Sequence, residues 1–242
     1  MVELDNLYMN RLKYSIAFFI LVCTGSLTAQ QNKDGYTSKQ PSSNGTGKVY
    51  LGREIAQVMS FEGVSWLERN TRSKEENTDL AISRLPIDKN SVVADLGAGS
   101  GFYTFRIAPK VKQIYAVEIQ DDALNYLKEK SKSLKVNDVV VQKGTEKSTN
   151  LPENSLDLII MVDVYHELLY PKEVLQSIRK SLKPNGKLLL IEYKGEDPQI
   201  AIKEEHKMTV RQVSKELDAN GFKLEKNGQF MPIQHFLIFK KK

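Results

Sequence analysis

The stretch from Ser91 to Thr104, S-V-V-A-D-L-G-A-G-S-G-F-Y-T, constrains this chain most, because a short β-branched run passes directly into three alternating glycines and then a helical pattern. Val92, Val93, Ala94 and Leu96 read as a strand covered on both faces, in the manner of a parallel sheet. Gly97, Gly99 and Gly101 permit positive φ and the close approach of a ligand, and the helix that follows would offer unpaired N–H groups at its start. In open α/β sheets ligands bind beyond the carboxyl ends of the strands. Two acids stand at that edge: Asp95, just before the glycines, and Glu118, within the next apolar strand, Gln113 to Ile119.

The rest of the chain repeats the alternation of strand and helix. A short helix, Phe102 to Ala108, is stopped by Pro109, and a longer one, Asp121 to Leu134, opens on two acids and carries Leu124, Leu127 and Leu134 as core. Val139 to Gln142 is a third strand that runs into Gly144, Thr145 and Glu146. Leu156 to Val162 is a fourth, and it delivers Asp163, Tyr165 and His166 to the same edge as Asp95 and Glu118. Pro171 opens the next helix, and L-K-P-N-G turns the chain into a fifth strand, K-L-L-L-I-E-Y. Thr209 and Gln212 form a capping box for a helix over Val210 to Asn220.

The 242 residues, 40% hydrophobic and 27% charged, suit one globular domain with an appendage. The net charge of +5 is spread over lysines interleaved with acids, which fits solvated helix faces and not a nucleic-acid stripe. At the N-terminus Arg11 and Lys13 precede the apolar run Tyr14 to Val22, and Thr28-Ala29 offers a cleavage point. The run is shorter than the roughly 20 apolar residues of a membrane span, so residues 1–29 read as a cleaved export signal that meets the membrane only transiently. An uncleaved N-terminal anchor, with the domain outside, is the alternative. Residues 30–47 are polar and rich in Ser, Gly and Asn and read as a flexible linker. Residues 48–90 follow a broken helical pattern, with Ile55, Val58 and Met59 on one face. Trp66, Arg69 and Arg72 have two readings there, ordinary packing and surface roles or a lid over a cofactor site.

The dinucleotide fingerprint G-x-G-x-x-G needs its third glycine where Phe102 stands. The run D-L-G-A-G-S-G-F with the downstream V-E-I instead resembles the class I S-adenosylmethionine-dependent methyltransferases, over about residues 90–192. The resemblance implies a Rossmann-like, doubly wound α/β sheet over residues 91–242, mostly parallel, with an antiparallel C-terminal edge made by Phe222 to Glu225 and His235 to Phe239. An N-terminal helical lid would precede it. It also implies S-adenosyl-L-methionine as cofactor. Asp95, Gly97, Ala98, Gly99 and Gly101 would form the loop beside its methionine part, and Glu118 and Ile119 the ribose side. Family members often carry an Asp after the third strand for the adenine amino group; Thr145 and Glu146 fill that region here. Asp163 would be a structural acid on the cofactor side.

Methyl transfer from a sulfonium mainly requires that a nucleophile be held in line and water excluded. His166 has two readings, a base for the acceptor's proton or a histidine bonded to a backbone carbonyl beside the site. Tyr165 reads as a pocket wall, with catalysis as its second role. His166, His206 and His235 have no close ligand-like spacing, so no metal site is expected. A small-molecule acceptor is expected and nucleic acid is not. The competing functions are a non-catalytic S-adenosylmethionine binder and a nicotinamide-dependent oxidoreductase.

Overall fold

The computed structural model describes residues 34–242. The export signal expected over residues 1–29 lies outside the described residues. Seven strands form the main sheet: β4 (Val92–Leu96), β5 (Gln113–Glu118), β6 (Val139–Lys143), β7 (Leu156–Val162), β8 (Leu182–Lys194), β10 (Phe222–Gly228) and β11 (Gln234–Lys241). They lie in the order β10-β11-β8-β7-β4-β5-β6, and the short β9 (Lys207–Met208) joins as an eighth strand beside the end of β8. Pairings from β6 through β8 are parallel, whereas β11 runs antiparallel to both β8 and β10. This is the expected doubly wound sheet with its antiparallel edge. β4 is flanked by β5 on one side and β7 on the other, so the crevice where the strand order reverses opens above Leu96 and Val162.

The strands alternate their side chains between two cores, as a pleat with period two requires. Ile159 and Met161 face one way, toward α6 (Pro171–Ser181) and α7 (Val210–Ala219), where Val174, Leu175, Ile178, Val213 and Leu217 are buried. Leu158 and Ile160 face the other way, toward α3 (Thr78–Ser83) and α4 (Phe102–Ile107). α5 (Asp121–Leu134) buries Leu124 and Leu127, but Leu134, expected in the core, is 52% exposed. It is the helix's last residue, before Lys135 turns left-handed at φ 54°. The capping box at α7 is half formed: the Thr209 hydroxyl accepts from Gln212 N–H at 3.1 Å, while the Gln212 amide reaches Leu51 and Glu216 instead.

The N-terminal part departs most from expectation. Described residues of the expected linker form β1 (Tyr36–Ser38) and the start of β2 (Gly45–Tyr50), which with β3 (Arg53–Ala56) make a three-stranded antiparallel sheet. Long-range bonds replace the apolar surface this stretch lacks. The Tyr36 hydroxyl donates to Glu173 at 2.6 Å, and Arg53 forks onto the buried Glu216 of α7 at 2.8 and 3.0 Å. Ile55, expected on a helix face with Val58 and Met59, is a buried strand residue; the other two are exposed loop residues. The helical lid is confined to short pieces, a 3-10 turn at Phe61–Gly63, α1 (Val64–Leu67) and α2 (Arg72–Glu76), followed by α3.

Candidate active site

The glycine loop leaves β4 with Gly97, Gly99 and Gly101 all at positive φ, 74°, 52° and 75°. A Cβ on Gly97 would lie 2.5 Å from Val164, and one on Gly99 would lie 2.8 Å from Leu67, so both positions need glycine for space as well as for φ. Gly101 is different. Its added Cβ would strike Phe105 and Leu127, which makes it a packing glycine at the start of α4. Glu118, buried at the end of β5, accepts from Gly99 N–H at 3.1 Å and from Ile119 and Gln120 N–H at 2.7 and 3.2 Å. Its carboxylate is thereby locked against the loop, at the wall of a cavity of about 640 Å³. That volume is in the range of small-molecule and cofactor sites.

Gly97, Gly99, Glu118, Ile119, Thr145, Glu146 and Asp163 all line this cavity. Asp95, Ala98 and Gly101, expected among the cofactor contacts, do not line it. Asp95 is fully inside the fold, where it accepts from the Thr104 hydroxyl at 2.6 Å and steadies the first turn of α4. Burial raises its pKa to about 6, against the opposing pull of Thr104 and Arg72. Asp163 sits at φ 54° with both oxygens on the Gln234 amide, at 3.0 and 2.8 Å. Burial, with Glu76 and Glu192 nearby, raises its pKa well above the usual carboxylate value. Arg72, buried and paired with Glu76 at 2.9 Å, lies 3.9 Å from Asp163.

The N-terminal segment covers this site. Gln120 is bonded through both side-chain amide atoms, accepting from Phe61 N–H and donating to the Met59 carbonyl. Leu67 leans over Gly99, and Trp66 lines the cavity with Arg69 stacked on its ring at 3.8 Å. Trp66 is 46% exposed, and neither the 3-10 turn nor α1 contains a buried residue.

Beyond the Asp163 turn, Tyr165 is fully buried and donates its hydroxyl to Glu216 at 2.8 Å; it is a core residue and forms no cavity wall. His166 does face the cavity, but both of its ring nitrogens are engaged. Nδ1 meets the buried Glu192 of β8 at 2.5 Å, and Nε2 meets His206 Nδ1 at 3.1 Å. Burial alone would lower its pKa, but Glu192 and Glu167 outweigh burial and hold it up at about 10. An imidazole protonated at neutral pH cannot serve as the base once expected of it, and its partners are side chains, not a backbone carbonyl. Glu167 completes the group, 3.3 Å from His206 Nδ1. The cluster escapes a reading of chain spacing because His206 arrives 40 positions later, on the 3-10 turn Glu204–His206 that follows β8. The one local signal is the adjacent His-Glu pair at the end of β7.

A model of the methyltransferase-domain family matches residues 87–236. An uncharacterized methyltransferase-like protein of Schizosaccharomyces pombe is 33% identical over 115 residues, 47% of this chain and 43% of that protein. The uncharacterized methyltransferase YcgJ of Bacillus subtilis is 26% identical over 124 residues, 51% of this chain and 49% of that protein. The match thus spans less than half the length of either curated relative. Among solved structures, an S-adenosylmethionine-dependent methyltransferase from Aquifex aeolicus superposes with a TM-score of 0.70 at 22% identity, covering 75% of this chain and 98% of that one; at this identity the likeness is one of fold.

Proposed function

The chain belongs to the methyltransferase-domain family, whose cofactor is S-adenosylmethionine, and from that premise we propose that it transfers the cofactor's methyl group to a small-molecule acceptor bound in the same cavity. The observation that carries this reading is Glu118, whose carboxylate is fixed at the carboxyl end of β5 against the Gly99 N–H, where it can accept from a ribose diol. Gly97 and Gly99 keep the loop free of side chains at the approach to the methionine part, and Ile119, Thr145 and Glu146 line the region left for the adenine.

When bound, the cofactor supplies an activated methyl group on a positively charged sulfur. The chain's own residues then hold the acceptor and exclude water, a positional effect that contributes roughly 7 to 11 kcal/mol. Leu67, Trp66 and the Met59–Gln120 bond close one side of the cavity, and Val164 and Leu168 close another. The apolar lining suits a small, partly apolar acceptor, and the scattered lysines offer no stripe for nucleic acid. Titration calorimetry with S-adenosylhomocysteine tests the cofactor half, and transfer of labelled methyl from S-adenosylmethionine into a small-molecule extract tests the rest. Lack of S-adenosylhomocysteine binding by the folded chain would refute the reading. We also propose that residues 1–29 direct export, on the strength of Arg11, Lys13 and the apolar run after them.

A further inference from the structure

We propose that His166, Glu167 and His206 bind a divalent first-row transition metal ion, of the class of zinc, iron or cobalt, in the wall of the cavity. Three donor atoms converge there: His166 Nε2 is 3.1 Å from His206 Nδ1 and 3.7 Å from Glu167 Oε1, and the last two are 3.3 Å apart. A triangle with these sides has a circumradius of about 2.0 Å, which matches metal–nitrogen and metal–oxygen bonds of about 2.0 to 2.2 Å. One ion can reach all three atoms without rearrangement of the backbone. Two imidazoles and one carboxylate are a donor set that zinc and non-haem iron both accept, with coordination positions left over.

The surroundings are those of a built site. Glu192, itself fully buried, holds His166 Nδ1 at 2.5 Å and is fixed in turn by Val164 and Tyr165 N–H at 3.2 and 2.8 Å. A carboxylate on one ring nitrogen orients the other toward a metal and makes it more basic. Both arms of the cluster are braced by the N-terminal segment. Arg53 donates to the His166 carbonyl at 3.0 Å, Met59 N–H donates to Glu167 Oε1 at 3.2 Å, and the Ser42 hydroxyl donates to Glu205, next to His206, at 2.5 Å. An ion at Nε2 takes the place of the proton that His166 otherwise carries there, and the Glu192 and Glu167 carboxylates that favour positive charge on this imidazole also favour a divalent ion beside it. All three ligands line the cavity, so an ion they hold borders the space that the acceptor shares with the cofactor. On the methyl-transfer reading, which this last step rests on, the acceptor is a small molecule with a ligating hydroxyl. Bound to the ion, that hydroxyl gives its proton to water and presents an oxygen anion to the methyl group.

The test uses the full, untagged chain, stripped with a chelator and titrated with cobalt(II) chloride while visible d–d absorption is read. One equivalent should saturate it. His206→Ala and Glu167→Gln should each weaken cobalt binding at least tenfold, and Glu192→Gln should weaken it 10- to 100-fold, the range for partners that orient a ligand. Circular dichroism identifies a variant that fails to fold, in which case the other ligand variant decides. Absence of saturable binding by the wild-type chain, or unchanged affinity in either folded ligand variant, overturns the proposal. S-adenosylhomocysteine is titrated in parallel: its retained binding alongside failed cobalt binding refutes the metal site alone, whereas loss of cofactor binding with cobalt binding intact refutes only the methyl-transfer reading.

Discussion

Asp95→Asn should change how stability depends on pH, and by an amount the structure allows to be worked out. Asp95 is sealed in the fold with a pKa of about 6, against an ordinary value of 3.8. Because the native state holds the proton more tightly than the unfolded chain, the contribution is neutral below about pH 4, and stability falls as pH rises through about 6. A difference of roughly 2.2 units at 1.36 kcal/mol each costs about 3 kcal/mol over the full range, of which about 2.4 falls between pH 4 and pH 7. The asparagine has no such proton to lose. It does alter the bond from the Thr104 hydroxyl and leaves an amide to satisfy, a cost of about 1 to 3 kcal/mol that is the same at every pH. Comparison of wild type and variant by urea unfolding at pH 4 and pH 7 cancels that constant. The stability difference should therefore shift by about 2.4 kcal/mol in favour of the variant between the two pH values. A shift below about 1 kcal/mol would mean that Asp95 titrates alike in both states and that burial is not what sets its pKa.

Glu118→Ala should weaken S-adenosylhomocysteine binding by about 1.5 to 3 kcal/mol, the range for hydrogen bonds to a charged group, and an unchanged Kd by calorimetry would take Glu118 out of the site. Gly99→Val should abolish that binding with near-native circular dichroism, since its Cβ meets the Leu67 side chain of the covering segment and not the core; retained binding would place the ligand elsewhere. Gly101→Ala should instead lower Tm, because Phe105 and Leu127 fill the space its Cβ needs, and a Tm equal to wild type would contradict that packing. Protein from native cells should begin near Gln30 and fractionate outside the cytosol. Asp at Phe18, Phe19 and Ile20 should retain it inside, each charge costing about 2.5 to 3.5 kcal/mol at a membrane centre, and a full-length cytosolic wild type would refute the export proposal.

The parts of this molecule that can be read from sequence are those whose cause is local. Leu156–Val162 matches its expected strand to the residue because its apolar run, interrupted only by the half-buried Asp157, suits a strand covered on both faces. The glycines and Glu118 are legible for a related reason: a loop that must turn left-handed three times and end a crevice leaves few residue types to choose from. Distance along the chain hides the rest. Asp95 looks like a site residue because it ends a strand, yet the pleat turns it inward onto Thr104 while Gly97 and Gly99 face the cavity. His166 looks like a free base because nothing in D-V-Y-H-E-L announces Glu192 behind it or His206 in front of it.

The expected linker fails for an instructive physical reason. Its polar composition argues that it cannot offset the entropy of ordering by burying apolar surface, and for Gly45, Thr46 and Gly47 that premise is correct. The ordering is offset by charge instead. Glu54 accepts from Ser42 and Gly47 N–H at 3.1 and 2.8 Å and pairs with Lys39, so one carboxylate of β3 gathers three points of the preceding turn. Arg53, one residue earlier, faces the other way, onto Glu216 and the His166 carbonyl. Glu216 is fully buried and also accepts from Tyr165 and Gln212, so removing Arg53 would leave a buried carboxylate without its counter-charge, which typically costs about 3 to 5 kcal/mol. The N-terminal sheet is therefore tied to α7 and to the turn carrying His166 by the same side chain. It follows that residues 36–56 belong to the architecture of the site: they brace the part of the cavity wall where His166, Glu167 and His206 meet.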